Sequence, residues 1–363
     1  MQQNRKVLII STVGLIYDGI TSVILSCLNA MDRTKIEFYV AATIDCKPSI
    51  RKQLDEMGCI VVDFPNRRTQ PLQYFNALCK FIRREHVNVV HAHGNSATLA
   101  IEMLAAWIGG AKKRIAHSHN TRCDRIKADK VLRPVFNLFY TDALACGEDA
   151  GRWLFGSKKF TVLNNGRDIK KFSFKPETRQ LIRKKLGLSN EMAIGHVGGF
   201  VEQKNHIFLL EIFKEIKKIE PTAKFFLIGD GPKKKEIEEK SKSLDVTFLG
   251  IVDNVYDYLN AMDGMILPSL FEGLPLVAIE WQLNGLPVLA SDMVTKECVL
   301  VDSFQFCSLN INVEQWAKKI IQMVQLYDRR NESEQAQDNA KKRGFDIRTV
   351  SYTHLRAHET LSD

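Results

Sequence analysis

Short, continuously apolar runs, each followed by a stretch of helical spacing, recur along most of the chain. In the first half, Lys6–Thr12, Ile36–Ala42, Cys59–Val62, Val87–His91, Arg114–Ser118 and Phe160–Leu163 read as strands. Between them, Ile20–Met31, Ile50–Met57, Leu72–His86, Ala97–Trp107 and Leu132–Tyr140 place apolar residues three and four apart, as one helix face requires. Strands apolar on both faces and alternating with helices predict a parallel sheet covered on both sides. The rhythm breaks at Asn164-Asn-Gly-Arg-Asp168, and a polar, basic stretch containing Pro176 follows. It restarts with strands at Ala193–Val197, Lys224–Ile228, Val246–Leu249, Gly264–Leu267 and Val288–Ala290. The pattern predicts two doubly wound α/β domains, residues 1–168 and 191–345, joined by a linker at 169–190. Ligands of such sheets sit beyond the carboxyl ends of the strands, so a cleft between the domains is the expected site. Residues 346–363 are expected to be an atypical, non-native tail, since Ser351–Thr360 shows no apolar periodicity, or else a disordered terminus; His354 and His358 are given no role.

Composition narrows the partners. The 363 residues, 45% hydrophobic and 26% charged, suit two soluble globular domains. The apolar start near Lys6–Ile10 is too short for a signal peptide, and no run approaches a membrane span. Eight cysteines without a Cys-x-x-Cys pair indicate neither a disulfide framework nor a zinc site, so a reducing cytoplasm is expected. The net charge of +9 favours an anionic partner. No nucleic-acid-binding signature accompanies the basic runs, which leaves nucleotides and acidic lipid. Lys112-Lys-Arg114, beside Trp107, and Lys233-Lys-Lys235 read as solvated faces, the first of them able to touch anionic headgroups.

The most informative stretch is Ser269–Pro287. Pro275 sits where a helix can begin, and Gly285 with Pro287 closes it. Glu272 and Gly273 then lie in a strand-to-helix turn, while Leu276, Ile279, Glu280 and Leu283 share one helix face. A carboxylate in that apolar stripe needs a partner. Sugar or ribose hydroxyls, an internal arginine or a backbone amide would each serve.

Glu272 and Glu280, with Gly273 and Pro275 between them and Gly-Leu-Pro-Val after them, resemble the E-x7-E box of family-four retaining glycosyltransferases of the two-domain GT-B fold. The resemblance covers roughly residues 5–345. It implies that Glu272 contacts the donor sugar, that Glu280 holds the ribose, and that backbone at Gly273, Leu274 and Leu276 approaches the phosphates. Gly195-His-Val-Gly-Gly-Phe-Val-Glu-Gln-Lys204 is similar to the segment whose Arg and Lys neutralise the departing diphosphate. Lys204 matches the lysine, but Gly199 stands in place of the arginine, with Arg167 a candidate substitute. His91-Ala-His93 and His117-Ser-His119 resemble first-domain segments of capsule and exopolysaccharide transferases, and the site histidine maps to His119, with His117 second. Zinc binding by these four is the lesser reading, since no carboxylate or cysteine ligand lies nearby. The loop Gly14–Gly19 is similar to the glycine loop facing donor phosphate, although Asp18 stands where a glycine is usual, and Gly229-Asp-Gly231 to a segment lining the base. Thr295–Glu297 is assigned a distal role at most.

The resemblance implies transfer, with retention, from a nucleotide sugar (UDP above all) to a lipid-linked glycan at the inner membrane face, with peripheral contact to anionic lipid. No metal or other cofactor is expected, because no Asp-x-Asp pair occurs in the chain. A sugar-nucleotide epimerase of the same fold, and a catalytically impaired subunit of a glycan-assembly complex, are the alternatives.

Overall fold

The computed structural model describes residues 5–123 and 125–359, and the chain forms two compact units. The first comprises Met1–Gly166 with Gly344–Asp363, and the second Arg167–Arg343.

In the first unit, β1 (Arg5–Ser11), β2 (Ile36–Ala42), β3 (Ile60–Asp63), β4 (Val89–Gly94), β5 (Lys113–Ser118), β6 (Asp142–Ala145) and β7 (Thr161–Val162) form one parallel sheet in the order β3-β2-β1-β4-β5-β6-β7. In the second, β8 (Ala193–Val197), β9 (Lys224–Ile228), β10 (Val246–Gly250), β11 (Gly264–Leu267), β12 (Val288–Ser291) and β13 (Phe304–Cys307) run β10-β9-β8-β11-β12-β13, again all parallel. Both sheets are doubly wound as expected, and the strand order reverses between β1 and β4 and between β8 and β11. Val7, Leu8 and Ile10 of β1, and Met265, Ile266 and Leu267 of β11, are fully buried, which is why these strands read as unbroken apolar runs.

β6 and β13 add to the expected strands. Asp142-Ala-Leu-Ala145 has little β-branched character, and Phe304-Gln-Phe-Cys307 is a short edge strand, so neither stands out from local sequence alone. The stretch 169–190 is not a bare linker, which corrects the sequence reading. Its helices Ile169–Phe172 and Pro176–Lys185 belong to the second unit, where Arg179 and Arg183 pair with Asp263 at 2.5 and 3.2 Å. The basic residues there face a carboxylate and main-chain carbonyls, and so look polar in sequence while being anchored in the fold.

The end of the chain differs from expectation too. A helix at Ile347–Glu359 packs on the helix Gly19–Ala30, with Phe345, Ile347 and Val350 buried in the first unit. The short apolar set Phe345-Ile347-Val350 is enough to dock it, although no longer periodicity follows. The side chains of His354 and His358, and residues 360–363, lie outside the described residues. Among the described residues, no helix is long and apolar enough to cross a membrane.

Candidate active site

In the second unit the site is built at the point where strand order reverses. β8 and β11 are neighbours, with Ile194 opposite Gly264 and Gly195 opposite Met265, so the loops that follow them emerge side by side. The loop after β8 passes Gly198, Gly199 and Phe200 into a tight turn at Glu202–Lys204. The loop after β11 carries Glu272 and Gly273 to the helix Leu276–Leu283. The Leu270 amide donates to the Gln203 carbonyl at 2.8 Å, and the Gln203 side-chain amide donates to the Phe271 carbonyl at 2.9 Å and to Glu272 Oε2 at 3.1 Å. Lys204 Nζ donates to Glu272 Oε1 at 2.6 Å. The structure therefore brings together the expected Lys204 and Glu272, and adds Gln203. The only hint of Gln203 in the sequence is its place beside Lys204.

A third loop, after β9, backs this arrangement. The Phe200 amide donates to the Asp230 carbonyl at 3.0 Å, and a Cβ on Gly231 would lie 2.7 Å from the Phe200 N and O. Gly231 thus lets two backbones touch, which gives it a structural reason to be glycine. Gly199 is different: a Cβ there would meet only the Asp230 carbonyl, at 3.7 Å, so the position has room for a side chain.

Pro275 caps the helix Leu276–Leu283 without any side-chain hydrogen bond to its first amides, one step earlier than a first-turn proline. Amides of Gly273, Leu274 and Leu276 therefore lie at a helix start of positive potential. Gly285, at φ +71°, ends the helix, and a Cβ there would fall 2.0 Å from the Arg329 carbonyl.

Glu280 is buried, and its Oε1 lies 2.7 Å from Arg167 Nε. The internal arginine, one of the partners left open by the sequence, is therefore present. Burial raises the Glu280 carboxyl above its ordinary range, and the Arg167 guanidinium opposes that rise. Arg167, the candidate substitute for the arginine absent at Gly199, thus sets its Nε on Glu280.

Two further histidines lie under the loops. His196 Nδ1 donates to the Ile266 carbonyl at 2.8 Å, and its Nε2 abuts Gly198, where a Cβ would come within 2.9 Å. His206 stacks on Phe200 with centroids 4.4 Å apart, and among the described residues neither of its ring nitrogens has a hydrogen-bond partner. Burial, reinforced by the Lys204 charge, depresses the His206 pKa from 6.5 to about 4.

In the first unit, His91, His93, His117 and His119 gather where β4 and β5 end, with His93 directly across from His117. They form two edge-to-edge pairs, His91 Nε2 to His117 Nδ1 at 3.2 Å and His93 Nδ1 to His119 Nε2 at 2.8 Å. The pairs are layered, with 4.2 Å between the rings of His91 and His93 and of His117 and His119. Ring nitrogens of His91, His93 and His117 lie within 4.8 Å of one another, close enough to suggest a metal. Their planes, however, are only 13 to 35° apart. Imidazole lone pairs lie in the ring plane, so stacked rings do not aim at one ion, and ligation would require the rings to turn. His119 is the half-buried member, and His117 is buried.

In the glycine loop, Gly14 takes φ +92° against the Asp45 backbone, and Asp18 caps the helix Gly19–Ala30 by accepting from the Thr21 amide at 2.8 Å. Gly19 is exposed at that helix start, which already carries an internal carboxylate. The expected basic face Lys112–Arg114 is mostly unavailable. Lys113 is buried beside Asp142 at 3.5 Å, and Arg114 donates to the carbonyls of Phe139, Ala111 and Lys112. Thr295 caps a short turn at Lys296–Cys298.

Two doubly wound sheets, with the loops after β8 and β11 of the second bringing Lys204 onto Glu272, define a GT-B glycosyltransferase fold. Anabaena HepE, crystallised with UDP, matches it with a TM-score of 0.79 over 98% of this chain and 100% of its own, at 19% identity. WaaG, a glycosyltransferase of lipopolysaccharide biosynthesis, matches with a TM-score of 0.72 over 98% and 100% of the two chains at 12% identity. In sequence, residues 191–325 match the family model described as glycosyl transferases group 1. The Bacillus subtilis protein named as glycosyltransferase EpsF is 30% identical over 316 residues, 82% of each chain. An Escherichia coli UDP-Gal:alpha-D-GlcNAc-diphosphoundecaprenol alpha-1,3-galactosyltransferase is 26% identical over 255 residues, covering 65% of this chain and 66% of its own. The chain belongs to the group 1 glycosyltransferases.

Proposed function

We propose that this glycosyltransferase moves a sugar, with retention, from a UDP-sugar to a lipid-linked glycan during bacterial exopolysaccharide or capsule synthesis. The observation that carries the reading is the Lys204–Glu272 ion pair beside an uncapped helix start. A diphosphate is more highly charged than a carboxylate, so an arriving donor would draw the Lys204 ammonium onto its phosphates and free Glu272 for sugar hydroxyls. Lys204 and the amides at Gly273, Leu274 and Leu276 would then take up the charge that develops as the diphosphate leaves. The acceptor oxygen would bond to the sugar carbon on the face the phosphate oxygen vacates, with its proton passing to that oxygen. Glu280 would hold the ribose, Gly19 would face donor phosphate, and His119 would lie near the transferred sugar. No metal is assigned to the leaving group. The lipid-linked acceptor named for the E. coli relative, and the UDP bound by HepE, support the substrate classes.

Gly199 favours a second reading, a subunit that binds donor but turns it over poorly, because glycine stands where the diphosphate arginine is expected. The test is incubation of purified protein with a panel of nucleotide sugars, with and without a diphosphoundecaprenol-linked saccharide and in the presence of a chelator. A retained glycosidic product that resists chelation is expected. Isomerised donor without acceptor would establish an epimerase instead, and donor binding without product would establish the impaired subunit.

A further inference from the structure

The helix Ile126–Phe139 packs Phe136 into the first unit's core, and buries Asp129, which accepts from the Ala97 amide at 2.7 Å and pairs with Arg133 at 2.6 Å. Its outer face is unusual. Lys127, Val131, Pro134 and Leu138, at helical spacing, are all exposed, Val131 and Leu138 to 75% each. Ile126 and Lys130 flank this stripe, and Trp107, 54% exposed, packs its ring at a tilt against Phe139 of the same helix, with centroids 5.0 Å apart. A water-facing helix ordinarily turns charged and polar residues of both signs outward. Here the outer face offers apolar side chains and lysines, and the helix's one acidic residue is buried.

We infer that this face, rather than the Lys112–Arg114 run, docks the enzyme on an anionic bilayer surface. An apolar stripe beside lysines, with an aromatic ring at its edge, is the composition that enters the headgroup region while its cations meet lipid phosphates. Lysines of two copies brought together over this face would find no acidic residue of the helix to pair with, since Asp129 is buried. The assignment rests on the lipid-linked-acceptor reading above for its purpose, and on the exposed side chains for its place.

Flotation with vesicles of phosphatidylcholine alone, or mixed with phosphatidylglycerol, tests it. The protein should float only with the anionic vesicles, and less as salt rises. Lys127→Gln with Lys130→Gln should weaken partitioning about 30-fold, the effect of two basic residues at an anionic surface. Val131→Gln with Leu138→Gln should weaken it comparably, and both pairs should leave transfer to a water-soluble acceptor analogue unchanged. Absence of vesicle binding, variants that float like the parent, or a dimer that these substitutions dissociate would overturn the assignment. Vesicle binding with no transfer from any nucleotide sugar would keep the surface and remove the proposed function.

Discussion

Glu280 keeps a carboxylate inside an apolar stripe because Arg167 lies 2.7 Å away, and each then depends on the other. Removing one partner of a buried pair leaves the other charge uncompensated, at a cost of about 3–5 kcal/mol. Arg167→Met is therefore expected to lower the denaturation midpoint sharply. Glu280→Gln, which keeps an oxygen toward the guanidinium, should cost less stability and yet weaken UDP binding more than tenfold by calorimetry. Unchanged UDP affinity would remove the ribose role. His206 supplies a separate pH dependence. Its folded-state pKa of about 4 lies below the 6.5 of an unfolded histidine, so the unfolded chain binds the extra proton. The stability contributed by keeping His206 neutral is complete above pH 6.5 and is lost as pH falls toward 4, by about 3 kcal/mol in all. His206→Phe preserves the stack on Phe200 and should flatten stability across that window in denaturant melts; an unaltered acid limb would show that other groups dominate.

The strand–turn–helix from β11 through Leu283 was legible in the sequence because every boundary has its own chemical marker: an apolar run, Gly273 in the turn, Pro275 at the cap and Gly285 at the close. The shift of Pro275 from first helical residue to cap is a one-residue difference of the kind that helix ends commonly show. The loop after β8 was legible in its lysine alone. That Gln203 and Lys204 grip Glu272 depends on β8 lying beside β11, which adjacent-residue patterns do not encode. At Gly199 the room for a side chain permits a direct trial. Gly199→Arg should fold normally and raise the transfer rate by restoring a bidentate phosphate partner. A variant that folds but gains nothing would count against the diphosphate clamp.

The chain leaves the first unit at Gly166, builds the second, and returns at Gly344. The returning segment is close to the departing one: a Cβ on Gly166 would lie 2.8 Å from Ile347 Cα. Each buried apolar side chain contributes roughly 1.5–3 kcal/mol. Ending the chain at Gly344 removes Phe345, Ile347 and Val350 from the first unit. A lower melting transition is expected in calorimetry, with donor affinity of the second unit retained. An unchanged melt would return the tail to the undocked segment its sequence suggests.

The sequence alone determined the repeated strand–helix order, the doubly wound architecture and the residues around Glu272, because these depend on local periodicity and on glycine and proline at element ends. Tertiary structure decided what those residues meet. Arg167 and Glu280 are far apart in sequence and become an ion pair only when the segment after Gly166 joins the second unit. The imidazole pairs require β4 and β5 to lie in register. The lysine run Lys112–Arg114 looked solvated until β5 carried Lys113 inward. In each case the deciding energy is that of burying a charge or ring beside one particular partner, and that partner is chosen by how the elements pack.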